Sequence, residues 1–547
     1  MMGYRRFAPK LYYQLSLDRL VPQNHLLRRI AEVIDFSFVY PLARPYYSHT
    51  GQPSVDPVVL FKTLLIGYLY GITSERRLME EIQVNMAYRW FLGYDLDEAI
   101  PDHSVLSKAR VRFGMEVFEA FFNRTVEFCQ AAGLVRGEAA FLDSTLMQAN
   151  AALASLEPTG AHQPPMAPRR YVEELFTENP VYPGEPSPTS PADSSDEKTA
   201  APEQKPEPTA KRPPANQRCR SRTDPEASVI DHPTFGLHLA YKAHIAVDDH
   251  PARVITAAVV TPGATADEYL LEELLWRHRR QVGRLPRDVV ADRRYGTLHH
   301  YRYLAELGIR AAIPQRAGKK RNAGGVWSIR DFRYDAERDT YTCPAGETLT
   351  RRFVRESERM VAYKAPPGVC RTCRFRSQCS PTGKERGLRR SFDRGYLDEA
   401  QRWLKTEEGK RRFGQRKVYV ETVFALAKDR HGLRRAQWRG RWKVQIQVWL
   451  TAAAMNIKKL VRTTAAAGGA SVGPIQALSR DFLWRLTTRL RSTFRVLLAA
   501  RMALGQQARR LYAVQRPSAP SAGAHPRRRV GQAAAFKRGR AGARAPR

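Results

Sequence analysis

The chain has 547 residues, and its 90 Lys and Arg against 54 Asp and Glu give a formal net charge of +36. Hydrophobic residues make up 43% of it, which is ordinary for a folded protein and excludes a wholly disordered chain. No apolar run reaches the roughly 18 residues of a membrane-spanning helix, and the N-terminus lacks the apolar core of a secretory signal, so we expect no membrane partner. So large a positive charge favours nucleic acid as the partner.

The N-terminal part, residues 1–130, has the apolar periodicity of helices. A first helix should begin at Pro57 with Ser54 as its cap, and further helical stretches follow around 75–88 and 111–129. A short basic helix should lie between the last two. The pattern predicts an all-helical DNA-binding domain, in which a helix-turn-helix reader and a plain structural bundle fit equally well.

Residues 151–222 interrupt this regular pattern. Fourteen of the 36 prolines lie between 151 and 220, mixed with Ser, Thr, Glu and Lys. The composition predicts a disordered or extended insertion. We place it inside a larger domain that spans residues 136–460.

Strands and helices alternate after the insertion. Two strands, starting near His238 and Ala252, should form an antiparallel pair, and Asp267 can cap the amphipathic helix that follows. A short buried strand then ends at Asp292, followed by a helix at 298–307 and one more strand. This order predicts a mixed α/β sheet flanked by helices.

Two aspartates stand at similar places in this scheme. Asp143 ends one apolar run and Asp292 ends another, so both carboxylates should reach the sheet edge where ligands bind in open α/β sheets. A lone Asp after a strand is more often a turn or helix cap. Glu421 should lie on a helix with Phe424 and Lys428 on the same face, and taken alone it reads as a solvated residue.

Basic residues interleaved with aromatic rings follow Glu421. Such a pattern suits phosphate contact and base stacking. The residues that we expect to contact DNA are Lys428, Arg430, His431, Arg434, Arg435, Trp438 and Arg439.

Four segments, taken in order, resemble DDE-type insertion-sequence transposases. They are FLDSTLMQANA, YKAHIAVD with VTPGATADE, ADRRYGT, and VETVFALAKDRHGLRRAQWRG. The resemblance implies a ribonuclease-H-like catalytic core in which Asp143, Asp292 and Glu421 hold two Mg²⁺ or Mn²⁺ ions. It also implies strand cleavage at the ends of an insertion sequence and transfer of the freed 3′-hydroxyl to target DNA. The expected partner is double-stranded DNA bound by a homodimer, in a cytoplasmic, nucleoid-associated bacterial protein.

The family signature Tyr-x2-Arg-x3-Glu-x6-Lys is only partly kept. Glu421 and Lys428 match it, whereas Gly414 and Lys417 stand where Tyr and Arg are expected. An alternative reading is therefore a transposase-derived DNA-binding protein that has lost cleavage, and another is a nuclease that does not transpose. Retention of all three carboxylates argues against lost cleavage.

Four of the six cysteines fall in one window, namely Cys343, Cys370, Cys373 and Cys379. A Cys-x2-Cys pair is a common half of a zinc site, and four thiolates would close the coordination sphere of one structural zinc ion. Unliganded cysteines and redox pairing are the alternatives. The resemblance adds that relatives carry a similar cluster in an insertion between the second Asp and the Glu, here residues 320–395.

Residues 461–547 form a basic C-terminal extension. Eighteen Lys and Arg stand against one acid, Asp481. From about residue 516 the extension is rich in Ala, Gly, Pro and Arg, which predicts disorder. We expect it to add weak, salt-sensitive DNA affinity.

Overall fold

The computed structural model of the chain describes residues 15–48, 50, 54–159, 214–233, 236–316, 327–379 and 385–466. All of them belong to one compact unit, Met1–Ser479. Residues 160–213 of the Pro-rich segment and the extension beyond 466 lie outside the described residues.

The N-terminal region is helical, as predicted. Helix α4 (Pro57–Tyr70) is largely apolar and buried, and its cap is Asp56 instead of the expected Ser54, because the Asp56 side chain accepts from the Val58 amide at 2.6 Å. Helix α7 (Ser104–Ala131) is interrupted at Gly114, whose φ of 58° lies in the left-handed region that favours glycine. The helices are α1 (Leu17–Leu20), α2 (Leu26–Val33), α3 (Val39–Ala43), α4 (Pro57–Tyr70), α5 (Glu75–Val84), α6 (Met86–Leu92) and α7 (Ser104–Ala131).

A six-stranded sheet forms the centre of the unit, and it confirms the predicted mixed α/β architecture. Its strands are β1 (Ala139–Gln148), β4 (Ser228–His232), β5 (Gly236–Asp248), β6 (Ile255–Pro262), β7 (Asp288–Val290) and β8 (Arg310–Ala312). The long strand β5 pairs antiparallel with β1 on one side and with both β4 and β6 on the other. Strand β7 then joins β1 in parallel, and β8 joins β7 in parallel.

Helices cover both faces of this sheet. Successive residues of a strand face opposite sides, so Phe141 packs in a core shared with the N-terminal helices and the last helix, whereas Leu142 packs in a second core. That second core includes Leu271 and Leu274 of helix α9 (Leu271–Val282) and Leu304 of helix α10 (Leu298–Glu306). The helices after the insertion are α8 (Ala215–Arg218), α9 (Leu271–Val282), α10 (Leu298–Glu306), α11 (Arg376–Cys379), α12 (Arg394–Leu404), α13 (Glu407–Arg416), α14 (Thr422–Arg430) and α15 (Arg441–Ala466).

The cysteine-rich segment forms a separate antiparallel sheet of five strands in sequence order. These are β9 (Arg333–Asp335), β10 (Thr340–Thr342), β11 (Thr348–Arg355), β12 (Met360–Lys364) and β13 (Gly387–Ser391). It has a small core of its own that contains Tyr341, Leu349, Tyr363 and Cys379.

The described ends of the Pro-rich segment contain short strands, whereas the sequence predicted a disordered or extended insertion. Strand β2 (Leu156–Pro158) pairs antiparallel with β3 (Cys219–Ser221), and the hydroxyls of Ser155 and Ser221 lie 2.7 Å apart in the buried space beside them. These contacts bring residues 155–158 and 219–221 together.

Among the described helices, no single one is long and apolar enough to cross a membrane. Only the pair Pro57–Tyr70 and Glu75–Val84, bent by 98°, meets the length and composition criteria when the two are taken together.

Candidate active site

Asp143 and Asp292 lie side by side at the parallel edge between β1 and β7. The last pair between the two strands joins Phe141 to Val290, so each aspartate stands two residues beyond it. Asp292 follows the end of β7 as predicted, but Asp143 is the fifth residue of β1 instead of its last, because β1 goes on pairing with β5 after β7 has ended. The two carboxylates are close enough that the charge of Asp292 raises the pKa of the Asp143 carboxyl. The parallel strands thus bring together the two aspartates that the sequence singled out.

The two carboxylates have different surroundings. Asp143 is largely buried, and this burial raises the pKa of its carboxyl to about 6, against the opposing influence of the Arg416 guanidinium. Asp292 is only partly buried, and its Oδ1 accepts from the Arg294 amide at 2.8 Å, capping a short 3₁₀ turn at Arg293–Tyr295. Asp292 is therefore a cap as well as a candidate ligand, which the sequence had posed as alternatives.

Glu421 ends a π-helical turn, Lys417–Glu421, that joins α13 to α14. π turns inside helices are frequent at functional sites. The ring of Tyr419 stacks on Phe141 of β1 at a centroid distance of 4.4 Å, and its hydroxyl donates to the Asp249 carbonyl at 2.8 Å. These contacts fix the turn against the strand that carries Asp143.

Arg416 joins the candidate carboxylates. Its guanidinium donates to Asp143 Oδ2 at 2.8 Å and to Glu421 Oε1 at 3.4 Å. Its Nε is buried without a hydrogen-bond partner among the described residues. One cation is thus shared by two carboxylates from distant parts of the chain.

A buried polar network lies behind this site, and the sequence reasoning missed it. Asp267 was expected to cap α9, but its Oδ1 instead accepts from the Ser144 hydroxyl at 2.6 Å and lies 3.1 Å from Lys242 Nζ. Burial by itself raises the pKa of Asp267, but His244 and Lys242 together lower it below the usual value. The available signal was the position of Asp267 within one of the four family-like segments.

Tyr295 lies against the same cluster. Its side chain is fully buried, and in the described part of the chain its hydroxyl has no hydrogen-bond partner. Burial raises the pKa of this hydroxyl, and so do the nearby carboxylates Asp267, Asp143 and Asp292. A neutral donor therefore stands next to the carboxylates.

Three of the predicted DNA-contacting arginines are exposed beyond the end of β1. Arg435 forms a parallel bridge with Gln148, and Arg439 Nε donates to the Asn150 carbonyl at 3.1 Å. Arg434 is exposed and pairs with Asp429. Five residues of strand separate Asp143 from Gln148, which corresponds to roughly 17 Å.

The other predicted DNA-contacting residues have different placements. His431 is buried, and its Nδ1 lies 2.6 Å from the Tyr68 carbonyl, while Trp438 stacks on the buried Arg110 guanidinium at 4.1 Å. Burial lowers the pKa of the half-buried Lys428, and Arg430 is exposed at the end of α14. In this conformation His431 and Trp438 hold the basic loop against the N-terminal helices.

The four cysteines of the predicted zinc site line one cavity of about 30 Å³, together with Trp327 and Arg386. All are free thiols. The Glu347 amide donates to Cys343 Sγ at 3.3 Å, and burial raises the pKa of the Cys379 thiol. The structure thus groups these cysteines around one cavity, but no three of their sulfur atoms lie within 4.8 Å of one another.

Two protein families match parts of the chain. Residues 15–112 match the family described as Transposase domain (DUF772), and residues 342–461, which include the four cysteines and Glu421, match Transposase DDE domain. No curated protein matches the chain significantly. These two matches confirm the predicted resemblance to DDE-type transposases and indicate DNA transposase function in general terms.

One solved structure with a detectable similarity is a piggyBac transposase synaptic complex with hairpin DNA. The two chains are 10% identical with a TM-score of 0.31, and the similarity covers 84% of this chain and 79% of the other. A TM-score this low does not establish a shared fold.

Proposed function

We propose that this DDE-type transposase cuts DNA strands at the ends of an insertion sequence and joins the freed 3′-hydroxyl to target DNA, with Asp143, Asp292 and Glu421 as its catalytic carboxylates. The observation that carries the proposal is the Arg416 guanidinium, which contacts both Asp143 of β1 and Glu421 of the π turn, while Asp292 lies just past the neighbouring strand β7. Holding three carboxylates from distant segments together costs free energy unless a cation compensates them, since like charges repel.

We further propose a ribonuclease-H-like core. Its support is the strand arrangement, in which an antiparallel group of β6, β5 and β1 continues into the parallel strands β7 and β8. In that arrangement the first and fourth strands of the core, β1 and β7, are neighbours, so Asp143 and Asp292 lie together just past the last residues that pair the two strands.

The donor set fits divalent magnesium or manganese. Hard cations prefer carboxylate oxygens, and the Arg416 contacts indicate that Asp143 and Glu421 can share a cation. When bound, two such ions would activate the attacking oxygen and stabilise the leaving oxygen of a phosphodiester. Asp143, Asp292 and Glu421 would hold them, and Arg416 would have to give up its carboxylate contacts and become free to pair with a DNA phosphate.

The remaining residues of the site would orient the carboxylates and the DNA. The Ser144–Asp267–Lys242 network restrains β1 directly after Asp143. The exposed Arg430, Arg434, Arg435 and Arg439 would bind the DNA backbone, with Lys428 at the edge of this surface. A homodimer would allow two element ends to be cut together.

For the cysteine cluster we propose one structural zinc ion. Support comes from the shared cavity and from the backbone N–H donated to Cys343 Sγ, an interaction that stabilises a thiolate. The ion would tie the turn after β10 to the loop that carries Cys370 and Cys373.

The test is a comparison of cleavage with binding. The substrates are duplexes that carry the DNA flanking the protein's own gene, incubated with Mg²⁺, Mn²⁺ or Ca²⁺. Asp143→Asn, Asp292→Asn and Glu421→Gln should each lower cleavage by on the order of 10³-fold or more while gel-shift affinity for the ends stays close to wild type. Glu407→Gln, which removes an exposed carboxylate from α13, is the matched control and should cleave normally.

Undiminished cleavage by any one of the three variants would remove that residue from the site. Specific end binding without cleavage by the wild-type protein in Mg²⁺ and Mn²⁺ would instead support the alternative, a transposase-derived DNA-binding protein. The replacement of the signature Tyr and Arg by Gly414 and Lys417 is the observation that favours this alternative.

A further inference from the structure

A second cluster of metal-binding side chains lies away from the carboxylates. Glu272 of α9 faces His299 and His300 at the start of α10, and one ligand atom from each lies within 4.8 Å of the other two. Among the described residues, this is the one group of three or more His, Cys, Asp or Glu side chains with that spacing.

The hydrogen bonds of His300 leave one ring nitrogen available. Its Nδ1 lies 2.7 Å from the Tyr295 carbonyl, and a carbonyl can only accept, so Nδ1 carries the ring proton. The lone pair is therefore on Nε2. Metal-binding histidines commonly donate their other N–H to a backbone carbonyl in this way, which fixes the orientation of the ring.

The cluster is partly buried but open on one side. Glu272 and His300 are only 8% and 5% exposed, whereas the His299 side chain is 31% exposed. A buried carboxylate needs a compensating partner. In this conformation the partner is His299, whose Nε2 lies 2.8 Å from Glu272 Oε1.

Arg302 allows a metal-bound arrangement. It lies 3.4 Å from His299 Nδ1, which makes Nδ1 an acceptor and leaves the proton on Nε2. If His299 binds the metal through Nε2, its ring proton must lie on Nδ1 instead, and Arg302 must then turn away from Nδ1. Its other partners, Asp393 at 3.3 Å and Glu306 at 3.6 Å, are already within reach.

We propose that Glu272, His299 and His300 bind one divalent transition-metal ion of the Zn²⁺, Co²⁺ and Ni²⁺ class. Two imidazoles and one carboxylate suit these ions, whereas Mg²⁺ prefers an all-oxygen set. The ion would fasten the start of α10 to α9. Since His300 also holds the Tyr295 carbonyl, it would stiffen the turn that Asp292 caps.

Nickel titration tests this site, because imidazole and carboxylate ligands suit Ni²⁺. Tag-free protein that retains its zinc is titrated with Ni²⁺ by calorimetry in excess Mg²⁺, which keeps the carboxylates of the proposed active site occupied. Wild type should bind one more equivalent of Ni²⁺ than His300→Ala or Glu272→Gln, and Ni²⁺ should raise its melting temperature. His238→Ala, which changes a partly exposed histidine of β5, should behave as wild type.

Glu272→Gln keeps an oxygen that can accept a hydrogen bond from His299, so this variant should stay folded. A loss of Ni²⁺ binding in it would therefore not be explained by unfolding. The proposal is overturned if both variants melt cooperatively and bind as many equivalents of Ni²⁺ as wild type, or if wild type binds none. Cobalt substitution gives a second readout. Strong thiolate-to-Co²⁺ absorption that is equal in wild type and His300→Ala, with weaker visible bands lost only in the variant, would support a histidine site separate from the cysteines.

Discussion

The carboxylate cluster and the cysteine cluster are both candidate metal centres, but they are assembled differently. Asp143, Asp292 and Glu421 come from distant parts of the chain and meet only because β1 and β7 pair and the π turn Lys417–Glu421 packs against β1. The four cysteines lie within residues 343–379, and the turns of one small sheet gather them. One centre therefore depends on the whole fold, whereas the other depends on a local segment.

The two centres should respond differently to loss of metal. The cysteine-rich sheet has only a small core of its own, so a closed zinc site would contribute much of its stability. The carboxylates lie on a sheet that is already covered by two large cores. Metal at the carboxylates would therefore serve the reaction more than the stability of the fold.

The largest expected effect is the loss of the local fold in Cys373→Ser. Removal of one of four thiolates should lower zinc from about one ion per chain to nearly none, since structural zinc is worth roughly 10 kcal/mol or more in isolated domains. Limited proteolysis should then cut within residues 327–391, while Asp292→Asn stays resistant. Metal analysis and mass spectrometry of the fragments measure both, with Cys219→Ser as the control. Full zinc content in the Cys373→Ser protein would contradict the site.

A smaller effect is expected from Arg416→Ala. Its guanidinium competes for Asp143 and Glu421, and a charge-assisted hydrogen bond is worth about 1.5–3 kcal/mol. Without DNA, the variant should therefore bind Mn²⁺ about tenfold more tightly, as measured by electron paramagnetic resonance at pH 8.

Arg416→Lys keeps the positive charge but not the guanidinium that contacts Asp143 and Glu421 at the same time. Its Mn²⁺ affinity should therefore lie between those of wild type and the alanine variant. If Mn²⁺ binds the alanine variant no more tightly than wild type, then Arg416 and the metal do not compete for the same oxygens.

The pH dependence of metal binding follows from Asp143. Burial raises the pKa of its carboxyl to about 6, so the metal-binding charged form is lost as the pH falls through that value. Mn²⁺ affinity should be flat from pH 8 to 7 and fall about tenfold per pH unit below 6. Arg416 lowers this pKa, so the midpoint should move to higher pH in Arg416→Ala. A flat profile down to pH 5 would show that Asp143 stays ionised.

The sequence predicted the parts of the fold that depend on local pattern. The apolar run that ends at Asp292 places it just past β7, and the turn between β5 and β6 matches the expected hairpin. The same pattern misplaces the end of β1, which continues to Gln148 beyond Asp143. Capping was less predictable. The cap of α4 is Asp56, which stands directly before Pro57 and accepts from the Val58 amide, whereas Ser54 lies two residues too early. Asp267 depends on tertiary contacts instead, because its side chain turns away from α9 to reach Ser144 and Lys242.

Long-range contacts explain what the sequence could not predict at the site. Helical spacing relates Glu421 to Lys428, which lies in the regular helix α14, but the π turn that ends at Glu421 changes its spacing from Arg416, which precedes the turn. The alternation of basic and aromatic residues in the sequence does not distinguish an aromatic ring that faces DNA from one that packs within the protein. Trp438 stacks on Arg110, which lies in a helix of the N-terminal region.

The smallest expected effect tests which contacts hold the carboxylate centre in place. Tyr419→Phe keeps the stack on Phe141 and loses only the hydrogen bond to the Asp249 carbonyl, so it should cost about 1 kcal/mol in urea unfolding and leave Mn²⁺ affinity unchanged. Tyr419→Ala also loses the ring contact, worth about 0.5–1.5 kcal/mol beyond its buried area. Because the ring holds the turn that carries Glu421, the alanine variant alone should weaken Mn²⁺ binding. Equal Mn²⁺ affinity in all three proteins would mean that α14 is positioned by its other contacts, such as the hydrogen bond from Arg253 to Thr422 at 2.8 Å. The carboxylate centre would then tolerate the loss of this long-range contact as well as a locally assembled centre would.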